Sequence, residues 1–153
     1  MSRLELRVPP PVVAALFALL MWLVMHLLPL ADLTLPAKGM LAGMFAALGI
    51  ALGLVAVFQF RKAATTVHPM KPQESSALVA NGVYRYTRNP MYLGMLLILA
   101  AWGVWLANAA ALLALPLFVA YLGRFQIAPE ERALEARFGA SFADYRRAVR
   151  RWL

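Results

Sequence analysis

The chain has 153 residues, of which 63% are hydrophobic and only 14% charged, with a formal net charge of +8 and a mean hydropathy of +0.69. That balance is too apolar and too charge-poor for a soluble domain, and it predicts a small all-α integral membrane protein. The absence of cysteine excludes disulfides and thiolate metal ligands.

Pro10 and Pro11 open the first apolar run, where their missing N–H groups cost nothing because first-turn donors have no intrahelical partner. The run over residues 12–30 is long enough to cross a hydrocarbon core of roughly 30 Å as a helix. Arg3 and Arg7 precede it as in a signal peptide, but no A-x-A cleavage pattern follows, so it is expected to stay as an anchor. His26, near its end, reads as a packing or interfacial residue. A second span is predicted over residues 39–60, where Gly39, Gly43, Gly49 and Gly53 recur at helical spacing. Small residues let backbones approach, and packing between helices of the same chain is the expected use. The loop that follows carries Pro69 and Pro72 and is expected to be irregular. Its His68 has no carboxylate or second histidine at a metal or triad spacing, so no metal site is expected.

Residues 81–94, NGVYRYTRNPMYLG, set two arginines, three tyrosines and an Asn-Pro step directly against an apolar run. Chemistry is expected here. From Arg88 to Arg124 the chain carries no charge over about 35 residues, which as one helix would reach roughly 50 Å. That exceeds one crossing, so two short spans, 91–106 and 109–125, are predicted to turn near Asn108, with Trp102 and Trp105 near the interface and Pro116 kinking the second. The chain would then hold four transmembrane helices in a single membrane domain.

Beyond them, Pro129 suits a first helical turn, Glu130 and Glu131 its positive end, and Gly139 its stop. From Ser141, Phe142, Tyr145, Val149 and Trp152 share one helical face while Arg146, Arg147, Arg150 and Arg151 mostly take the other. The reading is a cytoplasmic segment, 128–153, of short amphipathic helices docked on the bilayer surface. With four spans, all 15 lysines and arginines except Lys38 fall on one side. This asymmetry places both termini and the middle loop in the cytoplasm, and in a bacterium the membrane would be the inner one. The basic face suits anionic membrane lipids, and with no separate soluble basic domain nucleic acid is excluded as a partner. No span carries a central carboxylate, which disfavours an ion-coupled transporter.

GVYRYTRNPMYLG resembles the G-x-Y-x-x-x-R-H-P-x-Y-x-G signature of the isoprenylcysteine carboxyl methyltransferase type of membrane enzyme, and EERALEARFG resembles its downstream acidic element. Phospholipid methyltransferases are more distantly similar. The resemblance implies S-adenosyl-L-methionine bound in the cytoplasmic headgroup layer and a lipophilic small-molecule acceptor: a prenyl carboxylate, a phenolic lipid or a lipid amine. Carried over by position, the cofactor contacts are Ser76, Ala77, Leu78, Val79, Tyr84, Asn89, Pro90, Met91, Tyr92 and Glu130. Arg88, Glu131 and Arg124 are candidates for orienting the substrate. Asn89 stands where the signature has histidine, and Gln126 where the prenylcysteine enzymes have a substrate-associated arginine. The competing readings are an inactive membrane binding or assembly protein on the same fold and a small transporter.

Overall fold

The structure, a computed structural model, describes residues 5–62 and 77–153. Ser76 and His68 lie outside the described residues. Within them the chain forms helices α1 (Pro10–Leu27), α2 (Lys38–Lys62), α3 (Pro90–Leu106), α4 (Ala109–Leu112), α5 (Ala114–Leu122), α6 (Ala128–Phe138) and α7 (Ala140–Ala148). A π-helical turn, Gly123–Ile127, joins α5 to α6, and a 3-10 turn, Gly82–Arg85, precedes α3. No strand occurs among the described residues; a lone bridge pairs Asp32 with Asn108.

Three helical runs are long and apolar enough to cross a membrane: α1, α2 and the continuous run Ala109–Phe138. The third predicted span is α3, an apolar helix of 17 residues. It is the central element, packed on α2 along one side and on α1, α4 and α5 along others. Of α2, only Ala42, Gly49 and Ala56 are buried, and the exposed apolar side chains along the helix are left for lipid.

The α2–α3 crossing depends on two glycines. A Cβ on Gly49 would lie 2.7 Å from the Gly94 carbonyl oxygen, and one on Gly94 would lie 2.8 Å from that of Gly49. Backbone meets backbone here. Gly43, by contrast, has nothing within 4 Å, so its place in the small-residue stripe has no counterpart in this packing. Gly49→Val is therefore expected to destabilise the fold by about 1–3 kcal/mol through overpacking, with Gly43→Ala near neutral. Thermal unfolding in detergent compares the two.

The hairpin turns where Asn108 is fully buried. Its Oδ1 accepts from the Ala111 N–H at 2.9 Å while its Nδ2 donates to the Leu28 carbonyl and to Asp32, both at 3.0 Å, so one side chain caps α4 and ties the turn to the end of α1. The helix is interrupted for one residue at Leu113, between α4 and α5, where Pro116 cannot donate to the carbonyl four residues back. Trp105 is exposed beside Lys38, whereas Trp102 is partly buried and donates from its indole to the Ala18 carbonyl within α1 at 3.0 Å.

The C-terminal amphipathic pattern finds a different use. Helix α7 stops at Ala148, and Val149 is extended. Phe142 and Val149 are buried, Tyr145 packs on the cluster of Ala56, Val79 and Tyr84, and Trp152 packs on the main core. The apolar face covers the protein rather than the bilayer, because the turn and α3 start leave an apolar surface for it.

Candidate active site

The segment 81–94 is built from its turn outward. Gly82 has φ +56°, a left-handed conformation that side chains rarely tolerate, and a Cβ there would also strike the Gln59 side chain. Gln59, near the end of α2, accepts from the Val83 N–H at 3.2 Å and so fixes the turn. Tyr84 is thereby buried, its ring 5.2 Å from Phe60, with Val79 and Met91 packed into the same cluster. Burial pushes its hydroxyl well above the ordinary tyrosine pKa, with the charges of Tyr145 and Glu130 adding to the effect. The Tyr145 hydroxyl donates to the Tyr84 carbonyl at 2.7 Å.

Asn89 precedes α3 without capping it; its Nδ2 donates to the Arg151 carbonyl at 2.8 Å. Thr87 donates its hydroxyl to that same carbonyl at 3.3 Å, and the Arg88 N–H donates to the Arg150 carbonyl at 3.0 Å. The chain's last residues are thus laced to the signature through backbone carbonyls.

Pro129 in the first turn of α6 brings the two acids that follow against this layer, beyond the charge-free stretch that ends at Arg124. Their surroundings differ sharply. The Glu131 carboxylate accepts from Arg88 Nη2 at 2.7 Å and from Arg151 Nη2 at 2.5 Å. Burial opposes its ionisation, but the hydrogen bonds and charges of the two arginines outweigh this and hold it below the usual carboxylate range. Glu130 receives instead the hydroxyl of Tyr92, from the first turn of α3. Burial pushes its carboxyl up to about 8; the Tyr92 hydrogen bond works against that rise and the Glu131 charge with it. No cation is hydrogen-bonded to Glu130 among the described residues, although the chain carries a net charge of +8.

Most of the sequence-named residues therefore converge. Val79, Tyr84, Met91, Tyr92 and Glu130 form one layer, with Pro90 buried at its floor, Asn89 at its edge, and Ala77 and Leu78, both half-buried, leading into it. Arg88 and Glu131 pair with each other, and Arg88 Nη1 also donates to the carbonyls of Arg146 at 2.9 Å and Val149 at 2.6 Å. Arg124 is exposed on the π-helical turn, apart from the contacts that join this cluster among the described residues. Three participants were not legible as such: Gln59, Arg151 and Tyr145. Gly82 was the sequence signal for a close neighbour at the turn, but nothing in the sequence says that the neighbour is Gln59.

A family model described as phospholipid methyltransferase matches residues 37–141. An uncharacterized protein of Haemophilus influenzae is 49% identical over 63 residues, which are 41% of this chain and 100% of that protein. No solved structure matches the chain. The family match runs from the start of α2 into α7 and takes in the signature turn, the Tyr92–Glu130 contact and the Arg88–Glu131 pair, and with it the chain belongs to the phospholipid methyltransferase family.

Proposed function

We propose that the protein transfers a methyl group from S-adenosyl-L-methionine to a lipophilic acceptor at the cytoplasmic face of the membrane, with four crossings and both termini on that face. The observation that carries this reading is Glu130: a carboxyl withdrawn from water, partnered by a phenol and, among the described residues, by no cation, beside a second acid that has taken two arginines. Such a carboxylate suits an incoming ammonium, and the aromatic rings of Tyr84 and Tyr92 suit a sulfonium. The cofactor would be held by Glu130, Tyr92, Tyr84 and the residues around Val79, and supplies a methyl group activated by its positive sulfur. The protein's own part is alignment. Gln59 and the C-terminal carbonyls fix the signature, Tyr92 holds the Glu130 carboxylate in place, and the packed apolar layer keeps water from the transfer.

The test is calorimetric titration of the purified protein in detergent with S-adenosylmethionine and with its demethylated product. Micromolar to submillimolar binding is expected, and no binding at millimolar cofactor would sink the reading in favour of an inactive member of the family. Acidity sharpens the test. Because Glu130 has its proton below about pH 8 and must lose it to face an ammonium, binding releases a proton, and the dissociation constant rises up to about tenfold for each pH unit from 7.5 to 6. Titrations in buffers of different ionisation enthalpy count that proton.

A further inference from the structure

We infer that α7 and the strap that follows it, residues 140–153, form a hinged lid over the layer that holds Glu130, with Gly139 as the hinge and Arg151 as the latch. The ligand this lid admits rests on the methyl-transfer reading; the movement itself does not.

The hinge is a single residue. Gly139 lies between α6 and α7 with φ +52° and ψ −122°, a left-handed backbone that side chains rarely tolerate, while a Cβ there would meet nothing within 4 Å. Glycine is therefore needed for the bend and not for room. Beyond it α7 packs along α6, and its grip on the layer runs through Tyr145. That residue packs on the cluster of Ala56, Val79 and Tyr84, and its hydroxyl donates to the Tyr84 carbonyl at 2.7 Å. The Tyr84 hydroxyl feels the charges of both Tyr145 and Glu130, so α7 lies against the same layer as the buried acid.

The strap is fastened by its carbonyls. Those of Val149, Arg150 and Arg151 accept in turn from Arg88 Nη1 at 2.6 Å, the Arg88 N–H at 3.0 Å and Asn89 Nδ2 at 2.8 Å, so all three are tied to the residues just before α3. Trp152, half-buried against the main core, seats the end. Arg151 is held a second time through its guanidinium, which donates to Glu131 from Nη2 at 2.5 Å and from Nε at 3.2 Å. Its side chain is 40% exposed, against 10% for Arg88 on the same carboxylate. Water can take the place of Arg151 as it leaves, and Arg88 stays to neutralise Glu131, so this tie opens without stranding a buried charge. A charged ligand bound for Glu130 is rejected by hydrocarbon and must come past this cover.

The chain has no cysteine, so spin labels on Lys62→Cys and Arg147→Cys, exposed positions at the end of α2 and on α7, report the lid in the full chain in nanodiscs. Two separations are expected without ligand, and saturation with S-adenosylhomocysteine, the demethylated cofactor, should leave the shorter one. Arg151→Met removes the latch, and Gly139→Ala strains the bend from the other end. Each should raise the ratio of long to short separation about tenfold and speed both association and release of S-adenosylhomocysteine in stopped flow. A static wall would instead lose affinity through release alone, with association unchanged. In the unlabelled wild type, hydrogen exchange at residues 143–151 should proceed as one group and slow when S-adenosylhomocysteine binds, which decides the question if neither variant folds; exchange there that matches α3 and ignores the ligand overturns the lid. One separation in all three proteins, with S-adenosylhomocysteine bound normally, also overturns the lid and leaves the methyl-transfer reading standing. Two separations with no binding of S-adenosylhomocysteine uphold the lid and overturn that reading.

Discussion

Replacing Glu130 by glutamine should weaken S-adenosylmethionine binding by roughly 30-fold to several thousand-fold, the about 2–5 kcal/mol that follows when one partner of a buried charge pair is removed. The same change should not destabilise the protein. Glutamine keeps an oxygen for the Tyr92 hydroxyl, and it removes a carboxyl whose ionisation the fold resists. The linkage has a definite sign: the folded chain holds the Glu130 proton up to about pH 8, whereas an unfolded chain releases it near the ordinary value of 4.5, so wild-type stability falls as pH rises between these values. Glu130→Gln should flatten that dependence and unfold at pH 8 no lower than the wild type. Thermal unfolding at pH 5 and pH 8, beside calorimetry of both proteins, checks the pair of outcomes. Lost binding together with a lower melting temperature at pH 8 would mean that Glu130 is a packing residue.

Arg88 should behave in the opposite way. Its guanidinium joins Glu131 to the carbonyls of Arg146 and Val149, with side-chain exposures of 10% for Arg88 and 12% for Glu131. Arg88→Met strips one cation from a shielded carboxylate and leaves two carbonyls without their donor, at an expected cost of about 3–5 kcal/mol. The melting temperature should drop, and hydrogen exchange should accelerate at residues 146–151, which the signature no longer holds. A second substitution, Glu131→Gln, should return part of the loss, because the two residues act as one unit. A variant as stable as the wild type but impaired only in acceptor turnover would instead restore Arg88 to a substrate-orienting role.

What the sequence by itself determined is the part governed by local chemistry. Apolar run length set α1, α2 and the helical pair after Arg88, since a helix in lipid must satisfy its own backbone and needs about twenty apolar residues to do so. Prolines marked the starts of α1, α3 and α6 because their ring presets the first turn, and Asn108 marked the hairpin. The signature and acidic motifs pointed to the layer that the helices assemble. Only the tertiary structure decided how those residues are shared out. Adjacent glutamates have the same chemistry in a sequence, yet α6 turns one to Tyr92 and the other to Arg88 and Arg151, and this separates a poised carboxylate from a structural ion pair. The face of Phe142 and Tyr145 has the same periodicity whether it meets lipid or protein; the apolar cluster around Tyr84 settles it. Gln59, Tyr145 and Gln126 reach their partners across 24, 61 and 118 residues of chain, distances over which no periodicity or spacing carries information and only packing brings groups together.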